Sequence, residues 1–223
     1  MVYDNRDVPI HGVNGARILL VNEAPGPQEA EYRKPLIGSQ GGNLYRTLRA
    51  AGVPWASEFN AGQKFDWPTK AQTRYKNLAS TKSSFGLREQ FLHLRQHHIA
   101  CTNSFPRWPK LSIDSNGFVA PQASDVLSAE NLQRLKRECA LSDFHVLLLC
   151  GQYSYLAFLG RPIQNASKLE RTQLPHMDLD AINKRLRSRF KCAFYMGHTR
   201  RWSLSQQATC RTMKEISGLV GWE

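Results

Sequence analysis

The chain has 223 residues, 41% of them hydrophobic, with 30 Lys+Arg against 18 Asp+Glu and a formal net charge of +12. That length suits one buried core, or one core with an elaborate insertion, and no apolar stretch approaches the ~20 residues of a membrane span. The excess of cations favours a polyanionic partner met through phosphate contacts and counterion release.

The basic residues are concentrated, with seven between Lys184 and Arg201 and no acidic residue among them. Charge alone does not separate DNA from RNA or an anionic membrane. The amino terminus lacks the apolar core of a signal peptide, so a cytoplasmic monomer is expected. Five cysteines, at 101, 139, 150, 192 and 210, form an odd set without a Cys-x-x-Cys pair. That pattern argues against a disulfide scaffold or a zinc site and for reduced, partly buried thiols.

In chain order, residues 1–16 are polar and turn-rich, an arm with no assigned function. Ile18-Leu19-Leu20-Val21 reads as a buried parallel strand, and Asn22-Glu23-Ala24-Pro25-Gly26 as the loop that ends it. Ligands sit beyond the carboxyl ends of such strands, which is where Glu23 falls. A helical pattern is expected only after Gly38, with Leu44, Leu48 and Ala51 on one face and Gly52 at the end. Residues 54–85 look like a basic and aromatic insertion. Trp55, Phe59, Phe65, Trp67, Tyr75 and Phe85 are interleaved there with Lys64, Lys70, Arg74, Lys76 and Lys82. Such aromatics can stack on bases, but packing onto their own domain is the preferred reading.

A helix over Leu87–Gln96 leads to a second strand, His98–Asn103. Lys110–Leu127 reads as a loop, and Ser128 as the cap of a helix with Leu132, Leu135 and Cys139 on one face. A third strand, His145–Gly151, turns into a helix over Tyr153–Leu159 that Gly160 closes. Arg161–Arg189 is a long basic connection, helical near Ala181–Leu186. A fourth strand, Cys192–Gly197, delivers His198-Thr199-Arg200-Arg201-Trp202, and a last helix spans about 205–217. Glu23, Asn103 and His198 thus each follow a predicted strand, on one edge of a parallel sheet. A carboxylate, a carboxamide and an imidazole at one sheet edge are groups suited to acid–base chemistry and to stabilising developing charge.

Asn22-Glu23-Ala24-Pro25-Gly26, followed by Pro35-x-x-Gly38-x-x-Gly41-x-x-Leu44-x-x-x-Leu48-x-x-x-Gly52, resembles the first motif of the uracil-DNA glycosylase superfamily, nearest its family 4-like branch. Asn22 replaces that branch's first glycine, and Leu36 its phenylalanine. Thr102-Asn103 with Pro106 and Pro109 is similar to the second motif, and His198 matches the histidine of the third. The resemblance implies one domain over 1–223, a three-layer α/β/α sandwich with a central four-stranded parallel sheet. It implies that a nucleotide is flipped out of DNA, Asn103 reading the base, Glu23 activating water and stabilising the sugar cation, and His198 bonding the base carbonyl.

Ala24, Pro25, Gly26 and Leu36 would line the pocket. Thr199, Arg200, Arg201 and Trp202 would meet DNA, with Trp202 as a wedge or, alternatively, packed on the last helix. The branch's iron-sulfur cysteines have no counterpart, since no cysteine precedes Cys101, and no cofactor or metal is expected. No lysine lies in these motifs, so a monofunctional enzyme is expected. The substrate would be uracil or a modified pyrimidine, such as the glucosylated hydroxymethylcytosine of phage DNA. Two other readings stand beside this one: a catalytically silent DNA-binding module on the same fold, and a flavodoxin-like nucleotide binder. The second ranks last because Gln28–Gly42 intervenes before the expected helix.

Overall fold

The computed structural model describes residues 2–59, 82–110, 119–199, 202 and 206–222. Its strands are β1 (Val2–Tyr3), β2 (Ile18–Asn22), β3 (Ile99–Asn103), β4 (Pro109–Lys110), β5 (Val146–Leu149), β6 (Thr172–Gln173) and β7 (Cys192–Tyr195). The main sheet runs β3-β2-β5-β7-β6, parallel except for β6, which joins β7 antiparallel. Every residue of the four parallel strands is buried. Continuous apolar runs form them because a parallel sheet is covered on both faces.

Ten helices among the described residues supply that cover. They are α1 (Pro27–Tyr32), α2 (Ser39–Ala50), α3 (Pro54–Ser57), α4 (Lys82–Arg95), α5 (Ala123–Val126), α6 (Ala129–Cys139), α7 (Gln152–Leu159), α8 (Ala166–Leu169), α9 (His176–Leu186) and α10 (Gln206–Val220). Alternation along each strand sorts the side chains. Ile18, Leu20, Ile99, Cys101, Val146, Leu148 and Phe194 share one core with α2, α3, α4 and α10. Leu19, Val21, Ala100, Leu147, Leu149 and Tyr195 share the other with α5, α6, α7 and α9. The result is an α/β sandwich. No helix among the described residues is long and apolar enough to cross a membrane.

Local chemistry sets the helix ends. Ser128 accepts the Asn131 N–H at the start of α6, and Gly160 closes α7 in the left-handed region, φ 73°. Helix α9 begins at His176, five residues before the expected Ala181. Asp178 in its first turn is held by Arg161 and Tyr155, contacts that local periodicity cannot show. Helix α1 is likewise absent from the sequence reading, which took Gln28–Gly42 as a connection. A helix therefore does follow the first loop directly, and that argument against a nucleotide binder is withdrawn.

The arm over residues 1–16 is structural. His11 exchanges backbone hydrogen bonds with Cys101, and β1 pairs with β4, so the arm covers the exposed edge of β3. Of the insertion, Trp55 and Phe59 lie in the core, against His98 and against Tyr45 and Phe91 respectively. For these two the packing reading holds. Phe65, Trp67, Tyr75, Lys64, Lys70, Arg74 and Lys76 fall outside the described residues. The five thiols are unpaired, four of them buried.

Lys184, Arg185, Arg187, Arg189 and Lys191 cluster at the end of α9 and the start of β7, the amino end of the sheet. Six residues of mostly extended chain lie between Lys191 and His198, seven steps or roughly 20 Å at ~3.3 Å per residue.

Candidate active site

Among the parallel strands the chain order is second, first, third, fourth. Connections from β2 and from β5 therefore leave in opposite directions, and a crevice opens between their carboxyl ends. Glu23 follows β2 at that point. Its backbone carbonyl accepts the Phe105 N–H at 3.1 Å and the Ser104 hydroxyl at 2.5 Å, which extends the pairing with β3 past the strands themselves. One carboxylate oxygen accepts the Tyr153 N–H at 3.4 Å, at the amino terminus of α7.

The other oxygen lies 3.6 Å from Nε2 of His198, whose side chain remains 25% exposed. The carboxylate thus stands between the α7 amide and the His198 imidazole. Gly151 makes this possible, because a Cβ there would fall on the Glu23 carboxylate, and its φ of +103° is closed to most other residues. Gly197, directly before His198, makes room in the same way for Glu170. Its φ is +65°, and the Glu170 carboxylate, paired with Arg171 at 2.7 Å, occupies the space of its missing side chain.

Asn103 ends β3 in register with Asn22 of β2. Arg134 fixes its backbone, donating to the carbonyls of Asn103 at 2.8 Å and Ser104 at 3.2 Å while paired with Glu138. Its side-chain amide is fully buried, yet neither Nδ2 nor Oδ1 has a partner among the described residues. Buried polar groups are nearly always hydrogen-bonded, so this amide has donor and acceptor capacity to offer a ligand.

The loop after Glu23 is cross-braced. Ala24 and Pro25 are buried, Gly26 partly so, and Glu29 of α1 turns back to accept the N–H groups of Gly26 at 2.7 Å and Leu36 at 2.5 Å. One carboxylate thereby joins both halves of the first motif. Burial pushes the Glu29 pKa up, against those two N–H donors and the charge of Arg95. Arg95, wholly buried, donates to the Pro35 carbonyl at 3.2 Å. Leu36 is buried as well and has a φ of +59°. That costs a non-glycine residue about 1–2 kcal/mol and persists only because Glu29 and Arg95 hold it.

The residues expected to meet DNA divide differently. Trp202 is fully buried in the core with its indole N–H on the Met196 carbonyl at 3.2 Å. The wedge assignment is therefore corrected to the packing alternative, since burying so large an apolar ring outweighs exposing it. Thr199 is buried too. Its hydroxyl donates to Gln40 at 2.7 Å and its carbonyl accepts from Asn43 at 3.1 Å, so it latches the His198 loop to α2 instead of facing a duplex. Arg200 and Arg201 fall outside the described residues.

Gly151, Gly197 and Glu29 have no place in the site read from the sequence, and Asn22 stands out there only as the departure from the branch's first glycine. The glycines carry a weak signal, each standing directly after or near a strand end, whereas nothing local marks Glu29. No protein-family model matches the chain. No curated protein matches it either.

Proposed function

We propose that the protein is a monofunctional DNA glycosylase acting on uracil or a modified pyrimidine. The observation that carries this reading is the Asn103 carboxamide, buried and unpartnered among the described residues at a strand end beside the Glu23–His198 pair. A pocket offering an amide to read an edge, a carboxylate and an imidazole fits a flipped nucleotide. Water attacks the sugar carbon C1′ as the bond from C1′ to the base nitrogen breaks, and that electron pair leaves on the base. Glu23 orients the water, takes its proton and offsets the positive charge on the sugar. His198 hydrogen-bonds the base carbonyl where the negative charge collects, and the base then takes up a proton from solvent.

The modified-pyrimidine option rests on Leu36, which cannot give a flipped base the full stack of a phenylalanine, worth about 1–3 kcal/mol. Thr199 does not bear on this option, since its hydroxyl is engaged with Gln40. Trp55 does not restore the stack either, lying against His98 at the far end of β3. Glucosylated hydroxymethylcytosine, which would make the enzyme a phage-defence factor, remains within this proposal.

The test is incubation with labelled oligonucleotides carrying uracil, thymine opposite guanine, hydroxymethylcytosine or its glucosylated form, then hot alkali. Strand cleavage at one of these bases supports the proposal. Cleavage at none of them, with DNA still bound, favours the silent module.

A further inference from the structure

Asn22 occupies the last position of β2, in register with Asn103 on the neighbouring parallel strand. In-register residues of a parallel pair point to the same face, and the alternation Ile18, Leu20, Asn22 on one strand matches Ile99, Cys101, Asn103 on the other. Asn22 is buried, 3% exposed, and neither its Nδ2 nor its Oδ1 has a partner among the described residues. Two adjacent amides thus present four unused polar atoms in one buried place. The other buried amides among the described residues are not left so. Asn43 donates to Thr199 and accepts from Arg46, and Asn131 donates to Ser104 and Val126 and accepts from Arg134. The arrangement at Asn22 and Asn103 is local to the end of the sheet where Glu23 stands.

We propose that Asn22 is a second edge-reading residue, so that the pocket selects a pyrimidine by the hydrogen-bond pattern of its ring edge. This rests on the glycosylase reading above and names how the substrate class is chosen. A lone carboxamide can turn by half a revolution and read donor–acceptor or acceptor–donor equally well. A second carboxamide on the next strand, about 4.8 Å away, restrains the first, because like ends of two amides repel. The pair therefore separates pyrimidines with a keto group at C4 from those with an amino group there. Leu36 fits this arrangement, since a pocket with weakened stacking depends more on hydrogen bonds. A site built around buried donors and acceptors rejects a ligand that leaves them unpaired.

The experiment measures binding of oligonucleotides containing one 2′-fluoro-uridine, one 2′-fluoro-cytidine or an abasic analogue. The fluorine suppresses the sugar cation, so affinity is read without turnover. Excision of the ordinary bases is followed in parallel. Asn22→Leu, close in size but without polar atoms, is expected to weaken binding of the preferred base about tenfold or more. It should also bring the keto and amino forms to within a few-fold of each other and leave abasic DNA bound as before. Asn22→Ser serves as the second variant should Asn22→Leu not fold. If the wild type excises a base while both folded variants keep its affinity and base ranking, Asn22 is not a reader and the glycosylase reading stands. If the wild type neither excises any base nor prefers a fluorinated nucleotide over unmodified DNA, the glycosylase reading fails and this inference with it.

Discussion

The two ends of the central sheet are built on opposite terms. At the amino end, Trp55 lies flat on His98, ring centroids 4.7 Å apart, with Trp222 edge-on to both. The cations of the run from Lys184 to Lys191 stand outside that packing. At the carboxyl end the buried groups are polar, two amides lack partners among the described residues, and Leu36 is held in a strained backbone conformation. The amino end is therefore dominated by ring packing, and the carboxyl end by buried polar groups and backbone strain.

If that contrast is right, variants at the two ends should fail in different assays. Trp55→Ala removes a nearly buried indole and its stack, and should cost about 3–5 kcal/mol of unfolding free energy. Residual folded protein should excise at the wild-type rate. Chemical denaturation alongside a single-turnover assay checks both halves; loss of chemistry in a stable variant would erase the distinction.

Glu23→Gln should do the reverse, lowering excision by roughly 100-fold or more, about 2.7 kcal/mol of transition-state stabilisation, with an unchanged denaturation midpoint. Full activity in this variant would remove Glu23 from the mechanism.

A pH series sharpens the comparison at a third place, the edge of β3. Burial and the nearby Arg95 and Lys34 charges push the His11 pKa down to about 4. The unfolded chain binds that proton near pH 6.5 and the folded chain does not. This contribution to stability is therefore complete above pH 6.5 and is lost as pH falls toward 4. The melting temperature should decline over that window, and His11→Asn should flatten the decline. An identical decline in the variant would assign it to other groups.

The smallest effect is expected from the amino-end cations. Replacing Lys184, Arg187 and Arg189 together by alanine should leave the slope of log affinity against log salt nearly unchanged. Replacing Arg200 and Arg201 should flatten it by about one to two units. Equal slopes for the two variants would mean that the DNA track extends beyond the carboxyl end.

Much of this was legible in the chain. The four buried strands are continuous apolar runs, Ser128 and Gly160 are ordinary helix boundaries, and Glu23, Asn103 and His198 could be put at strand ends by counting. The misses have a common character. Trp202 reads as a surface aromatic because it follows Arg200-Arg201, and Thr199 as an exposed loop residue, yet both are buried by contacts with segments far away in sequence. Helix α1 and the early start of α9 depend in the same way on Glu29 reaching Leu36 and on Asp178 reaching Arg161.

The sequence by itself determined the alternation of strands and helices, the strand ends at which chemistry can be placed, and the residue types found there, because these follow from local hydrophobic period and backbone restriction. Only the tertiary structure decided that Gly151 clears space for the Glu23 carboxylate and that Asn22 and Asn103 stand side by side without partners among the described residues. Those facts depend on strand order and register, which bring together residues some 80 to 130 positions apart, and no local pattern encodes such distances.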